Sequence, residues 1–152
     1  MTARFNPYAE DLALLQPLID YGKAVARMGL EKTLVELVKI RASQINGCAV
    51  CLHMHTEEAL KAGENPMRLH MLDAWRESPL YTARERAALG WTDALTRLAE
   101  THAPDEEYAA VKAQFTKEEQ VALTLMIGVI NSFNKLGVGF RVSHPAANGR
   151  RA

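Results

Sequence analysis

An all-α fold is predicted by this 152-residue sequence on three observations. Apolar residues recur at spacings of three and four in segment after segment, the period of one helix face. Two capping boxes, Thr82-Ala-Arg-Glu85 and Thr116-Lys-Glu-Glu119, mark helix starts with reciprocal side-chain and backbone hydrogen bonds. No stretch alternates apolar and polar residues as a half-buried strand would.

Taken in order, the first helix is expected from about Ala9 to Met28. Leu12, Leu15, Leu18 and Ile19 form its stripe, and Gly29 stops it. A second helix follows from about Lys32 to Gln44. Leu34, Leu37, Val38 and Ile45 lie on one side of it, but Val35 and Ile40 lie towards the other, and a helix apolar on most faces is buried on most faces. Asn46-Gly47 breaks the run, and a third helix is expected from Cys48 to about Ala62, ended by Gly63. Asn65-Pro66 reads as a cap followed by a first-turn proline, opening a helix that carries Met67, Leu69, Leu72 and Trp75. After Ser78-Pro79, the first capping box opens a helix to about Glu100 with Ala88, Trp91, Leu95 and Leu98 inside. Pro104-Asp105-Glu106 opens a short helix to Gln114. The second capping box opens the last long helix, to about Leu136, with Gly137 and Gly139 ending it. Val121–Ile130 within it is apolar nearly all round, as a central core helix or a subunit interface would be.

Length and composition fit one domain, residues 1–152, with Arg141 onward as a tail. Lys plus Arg and Asp plus Glu both number 18, so no net charge drives binding to nucleic acid or an anionic membrane. Met1–Glu10 lacks the apolar core of a signal peptide, and Val121–Ile130 is about half of what a membrane span needs. These features predict a cytoplasmic protein with neither a nucleic-acid nor a membrane partner.

The chemistry is concentrated in residues 36–63, ELVKIRASQINGCAVCLHMHTEEALKAG. Cys48 and Cys51 are the only two cysteines and stand as C-x-x-C, with His55 four residues further on. At about 100° per residue, Cys48, Cys51 and His55 fall within roughly a 60° arc of a helix face. A helix N-terminus and an imidazole one turn on are the two things that stabilise a thiolate. A c-type haem site is excluded because Leu52, not histidine, follows the second cysteine. A zinc site built from Cys48, Cys51, His53 and His55 fails on direction, since His53 points about 140–160° away from Cys48 and His55 on the helix. A thiol redox pair, in which one cysteine captures its oxidised neighbour within one turn, fits the spacing best, with a metal site and two incidental core cysteines as the alternatives. His53 is then expected at solvent or a subunit contact, and His70, His102 and His144 carry no local pattern. Glu36, eleven residues before the C-x-x-C, has two readings from spacing: a partner of the redox site, or the reciprocal cap of its own helix through Thr33-Leu-Val-Glu36.

The pattern E-x11-C-x2-C-x3-H, formed by Glu36, Cys48, Cys51 and His55, resembles the core of the alkylhydroperoxidase D-like (AhpD-like) proteins of the carboxymuconolactone decarboxylase superfamily. Residues 37–64, Ala74–Leu98 and Leu123–Arg141 are similar to the same family's segments. The resemblance implies a helical fold, a homo-oligomer (trimer or hexamer), and thiol-dependent reduction of hydrogen peroxide or organic hydroperoxides. It implies no metal or cofactor, and a dithiol or protein reductant as partner. Cys51 would attack peroxide, Cys48 would donate a proton and close the disulfide, and His55 with Glu36 would relay protons. Some members carry a histidine just before the second cysteine, where this chain has Val50. Two other functions compete on the same residues: a general dithiol–disulfide oxidoreductase, and a metal-binding or redox-sensing scaffold.

Overall fold

A computed structural model describes residues 2–145, and among these there are helices, 3-10 turns and loops but no strand. The helices are α1 (Pro7–Glu10), α2 (Gln16–Ala26), α3 (Lys32–Asn46), α4 (Ala49–Lys61), α5 (Pro66–His70), α6 (Ala83–Thr96), α7 (Leu98–Thr101), α8 (Asp105–Gln114) and α9 (Lys117–Gly139). The all-α expectation holds, and both capping boxes are present at Thr82 and Thr116. Asn65 caps α5 as expected, accepting a hydrogen bond from the Met67 N–H.

The first expected helix is instead three pieces: α1, a 3-10 turn at Leu12–Leu15, and α2. Pro17 sits in the first turn of α2, where its missing N–H costs nothing; inside a continuous helix it would break a hydrogen bond and clash with the preceding turn. The break turns Leu12 and Leu14 to solvent and buries only Leu15 and Val25 of the expected stripe and its continuation. The helix expected to reach Glu100 also ends early, at Thr96, and Leu98 is exposed on the separate α7. There the Thr101 hydroxyl donates to the carbonyl of Ala94, satisfying an acceptor at the end of α6.

α3 lies at the centre and packs against α4, α6 and α9. Leu34, Val35 and Val38 join one apolar cluster with Ala88, Leu123 and Ile127, whereas Leu37 and Ile40 join a second with Leu72, Trp75 and Leu89. Apolar residues on most sides of this helix are therefore buried on most sides. Its buried polar residues are paired: the Arg41 guanidinium donates to Asp93 (2.6 Å from Nε) and Asp73 (2.5 Å from Nη1), tying α3 to α6 and to the turn after α5.

α9 runs to Gly139, past its expected end. With 23 residues and a mean hydropathy of 1.5 in its most apolar window, it has the length and composition of a membrane span, contrary to the shorter run read from Val121–Ile130. Contact with α2, α3, α4, α6 and α8 accounts for part of that composition, with Val121 and Val138 left exposed. The expected tail is not loose at its start, because Val142 is buried and its N–H donates to the carbonyl of Gly137. Residues 146–152 of that tail lie outside the described residues.

Candidate active site

Gly47 ends α3 in the left-handed conformation (φ +66°), a geometry that a side chain would strain. The chain then re-enters helix at once, and Cys48 becomes the N-cap of α4, with Cys51 in its first turn. The two cysteines form a disulfide, with Cα atoms 5.4 Å apart. Both are buried, at 1% and 3% exposure.

α9 closes over this pair. The Asn46 side-chain amide donates to Asn131 and Asn134, and Asn134 in turn donates to the Ser43 hydroxyl, so the end of α3 is bolted to α9. One turn beyond Asn134, Gly137 passes the disulfide so closely that an added Cβ would lie 2.6 Å from Cys48 Sγ and 3.0 Å from a Val50 methyl. The glycine expected to stop the helix is thus a place of close approach within it.

His55 is buried one turn after Cys51. Its Nδ1 lies 3.1 Å from Glu36 Oε2 and 3.0 Å from Glu58 Oε2. Carboxylates can only accept, so Nδ1 carries the hydrogen and Nε2 is left as the nitrogen able to take a proton. Glu36 is only 4% exposed and also accepts from Lys39 Nζ at 2.9 Å. Burial pushes its carboxyl up, but the hydrogen bonds and charges of His55 and Lys39 outweigh it and hold the group below the ordinary carboxylate value. The capping reading of Glu36 is overturned: Glu31 is the N-cap of α3, no side chain caps that end, and the Glu36 carboxylate points inward. Glu36 and His55 are therefore brought together from different helices, as the family motif implied.

Two participants were not picked out from sequence. Glu58 is three residues after His55 and Lys39 three after Glu36, so both were legible as same-face neighbours once the helices were placed. Glu36, His55 and Glu58 have one ligand atom each within 4.8 Å of one another, a set able to hold a metal ion. The Lys39 ammonium on Glu36 opposes a cation there. His53 lies away from the site, 3.7 Å from Glu57 and stacked on the ring of His144.

Cys51 and His55 open onto a cavity of about 550 Å³ between α2, α4, α9 and the segment after α9. Its walls are mainly apolar, including Ile19, Val50, Met54, Val129, Ile130 and Phe133. Cys51 lines it and Cys48 does not. Val50, where some family members carry histidine, supplies part of the apolar wall.

Residues 13–94 match the carboxymuconolactone decarboxylase family. The chain belongs to that family. Within known proteins it is similar to the uncharacterised protein YdfG of Bacillus subtilis strain 168, 39% identical over 138 residues that cover 91% of this chain and 94% of YdfG. Among solved structures it is similar to a protein of unknown function from Agrobacterium tumefaciens, provisionally described as the antioxidant defence protein AhpD. That match has 41% identity and a TM-score of 0.92, covering 96% of this chain and 100% of the other. The debrominase Bmp8 shares the fold at a TM-score of 0.80 and 17% identity, over 90% of this chain and 74% of its own. This chain is thus an AhpD-like member of the family, and the family fold hosts more than one chemistry.

Proposed function

We propose that the protein is a thiol-dependent peroxidase of the alkylhydroperoxidase type. The observation that carries this reading is the asymmetry of the disulfide: Cys51 faces the cavity beside His55, while Cys48 is shut in behind it against Gly137. In the reduced protein, His55 takes the Cys51 proton at Nε2, with Glu36 holding the ring and balancing the imidazolium charge. The Cys51 thiolate attacks the outer oxygen of ROOH, forming an S–O bond as the O–O bond breaks. The proton returns to the leaving alkoxide, releasing ROH. The Cys48 thiol then gives up its proton and attacks the Cys51 sulfenic acid. Water leaves and the disulfide forms. A dithiol donor returns two electrons and two protons, becoming a disulfide itself. No metal or cofactor enters any step, and a reducing cytoplasm is the compartment in which such a pair cycles.

Mass spectrometry after a peroxide pulse tests the assignment. Cys51→Ser should consume no peroxide and carry no sulfenic acid on Cys48. Cys48→Ser should form one sulfenic acid at Cys51 and stop there. A sulfenic acid at Cys48 in the Cys51→Ser protein at the wild-type rate reverses the assignment. If the wild type reacts rapidly with small disulfides and only slowly with peroxide, the dithiol–disulfide oxidoreductase reading replaces this one.

A further inference from the structure

We infer that the cavity beside Cys51 is built for an amphipathic carboxylate hydroperoxide, its apolar chain inside and its anionic head at Lys23. This inference rests on the peroxidase reading and deepens it by naming the substrate class.

Size is the first argument. Hydrogen peroxide needs about the space of two waters, roughly 20–30 Å³ on the same measure, against about 550 Å³ available. That volume falls in the usual range for pockets that enclose organic ligands, roughly 300–1,000 Å³. Chemistry of the wall is the second. Ile19, Met54, Val129, Ile130, Phe133 and Val142 offer nothing that water or peroxide would prefer to bulk solvent. Gly22, on the same face of α2 as Ile19 and Ala26, lets α2 pass close to α9 at the cavity wall: a Cβ there would lie 3.3 Å from Val129.

Charge is the third argument. The lining contains two lysines, Lys23 and Lys39, and no carboxylate. Tyr8, also in the lining, is pushed up by burial and so stays a neutral donor. Lys39 is already taken by Glu36. Lys23 is exposed, and among the described residues it makes no ion pair. A carboxylate head at Lys23 places the chain along the apolar wall and brings a chain-borne hydroperoxide to Cys51, where the balanced reaction above converts it to the alcohol.

Two measurements test this, one independent of turnover. Calorimetric titration of the oxidised protein with laurate should show one binding site per chain, and dodecanol should bind more weakly. In turnover with a dithiol donor, kcat/KM should rise from tert-butyl to cumene to linoleic acid hydroperoxide, by up to about fourfold per added buried methylene. Linoleic acid hydroperoxide should also exceed its methyl ester. Lys23→Gln should lower that acid-over-ester ratio about threefold, the size of an exposed ion pair. Lys112→Gln, on α8 away from the cavity, should leave the ratio unchanged. Ala26→Phe, which fills the cavity from α2, should abolish the advantage of the long chain. Absence of laurate binding with hydrogen peroxide turnover intact overturns the substrate class and leaves the peroxidase reading standing; a second copy of the chain covering the cavity gives that result. Laurate binding without turnover of any hydroperoxide overturns the peroxidase reading and keeps the site as a carboxylate-binding pocket.

Discussion

His55 takes its role from what surrounds its two nitrogens. Nδ1 is held by a buried carboxylate from α3 and a half-exposed one from its own helix, and this leaves Nε2 as the nitrogen with the free lone pair. Glu36→Gln keeps the shape but removes the charge that stabilises an imidazolium, so the peroxide rate should fall on the order of 10²-fold. Glu58→Gln should cost less, because solvent screens an exposed carboxylate. Stopped-flow measurement of sulfenic acid formation checks both, and equal losses for the two would show that burial does not decide the matter. The Glu36 carboxyl is held below its ordinary value of about 4.3. A group with a depressed folded value stabilises the fold above its unfolded value and loses that contribution as pH falls through the folded one. Urea midpoints should therefore show a stability difference between wild type and Glu36→Gln that is present above about pH 4.3 and shrinks as pH falls further.

At the scale of helices, the site depends on how closely α9 passes the start of α4. In an open helix, Gly→Ala would gain up to about 1 kcal/mol from backbone propensity. At Gly137 the new methyl would meet Cys48 Sγ at 2.6 Å, and a sulfur locked in a disulfide cannot swing aside. Overpacking of this kind costs about 1–3 kcal/mol, so Gly137→Ala should be net destabilising by roughly 1–2 kcal/mol. Repeating the change in a Cys48→Ala background should shrink the cost, since the closest atom is gone. Chemical denaturation of the four proteins checks it. A stabilised Gly137→Ala in the wild-type background would mean the helices can spread without loss.

At the scale of the molecule, the apolar surplus does not lie on α3. That helix hides its apolar residues within its own chain, and so it makes no demand for a partner. Leu14 at 69% exposure, Leu12, Val121 and Val138 remain in solvent. We propose a homo-oligomer, a trimer or hexamer, that covers part of this surface. Light scattering at micromolar concentration should give a mass several times the 16.9 kDa chain. A stable monomer would refute the assembly and leave the proposed redox chemistry standing, since Glu36, Cys48, Cys51 and His55 come together within one chain.

Much of this was written in local pattern. The helical class, the two capping boxes, the Asn65 cap and the one-turn spacing of Cys51 and His55 all follow from relations within four residues, and such relations are legible in sequence, whereas the turning of Cys48 away from the cavity as the N-cap of α4 was not. The break at Pro17 was legible too, had its missing N–H been weighed against the apolar stripe. Other features needed the fold. Spacing left Glu36 between a cap and a partner of the redox site, because the contact that decides it joins residues nineteen apart on two helices. Gly137 looked like a stop, and only the approach of α9 to the disulfide shows what its missing side chain permits. The cavity is a property of neither helix alone; it exists because α2, α4 and α9 meet around a space that no local rule describes, and sequence carries no direct record of space left empty.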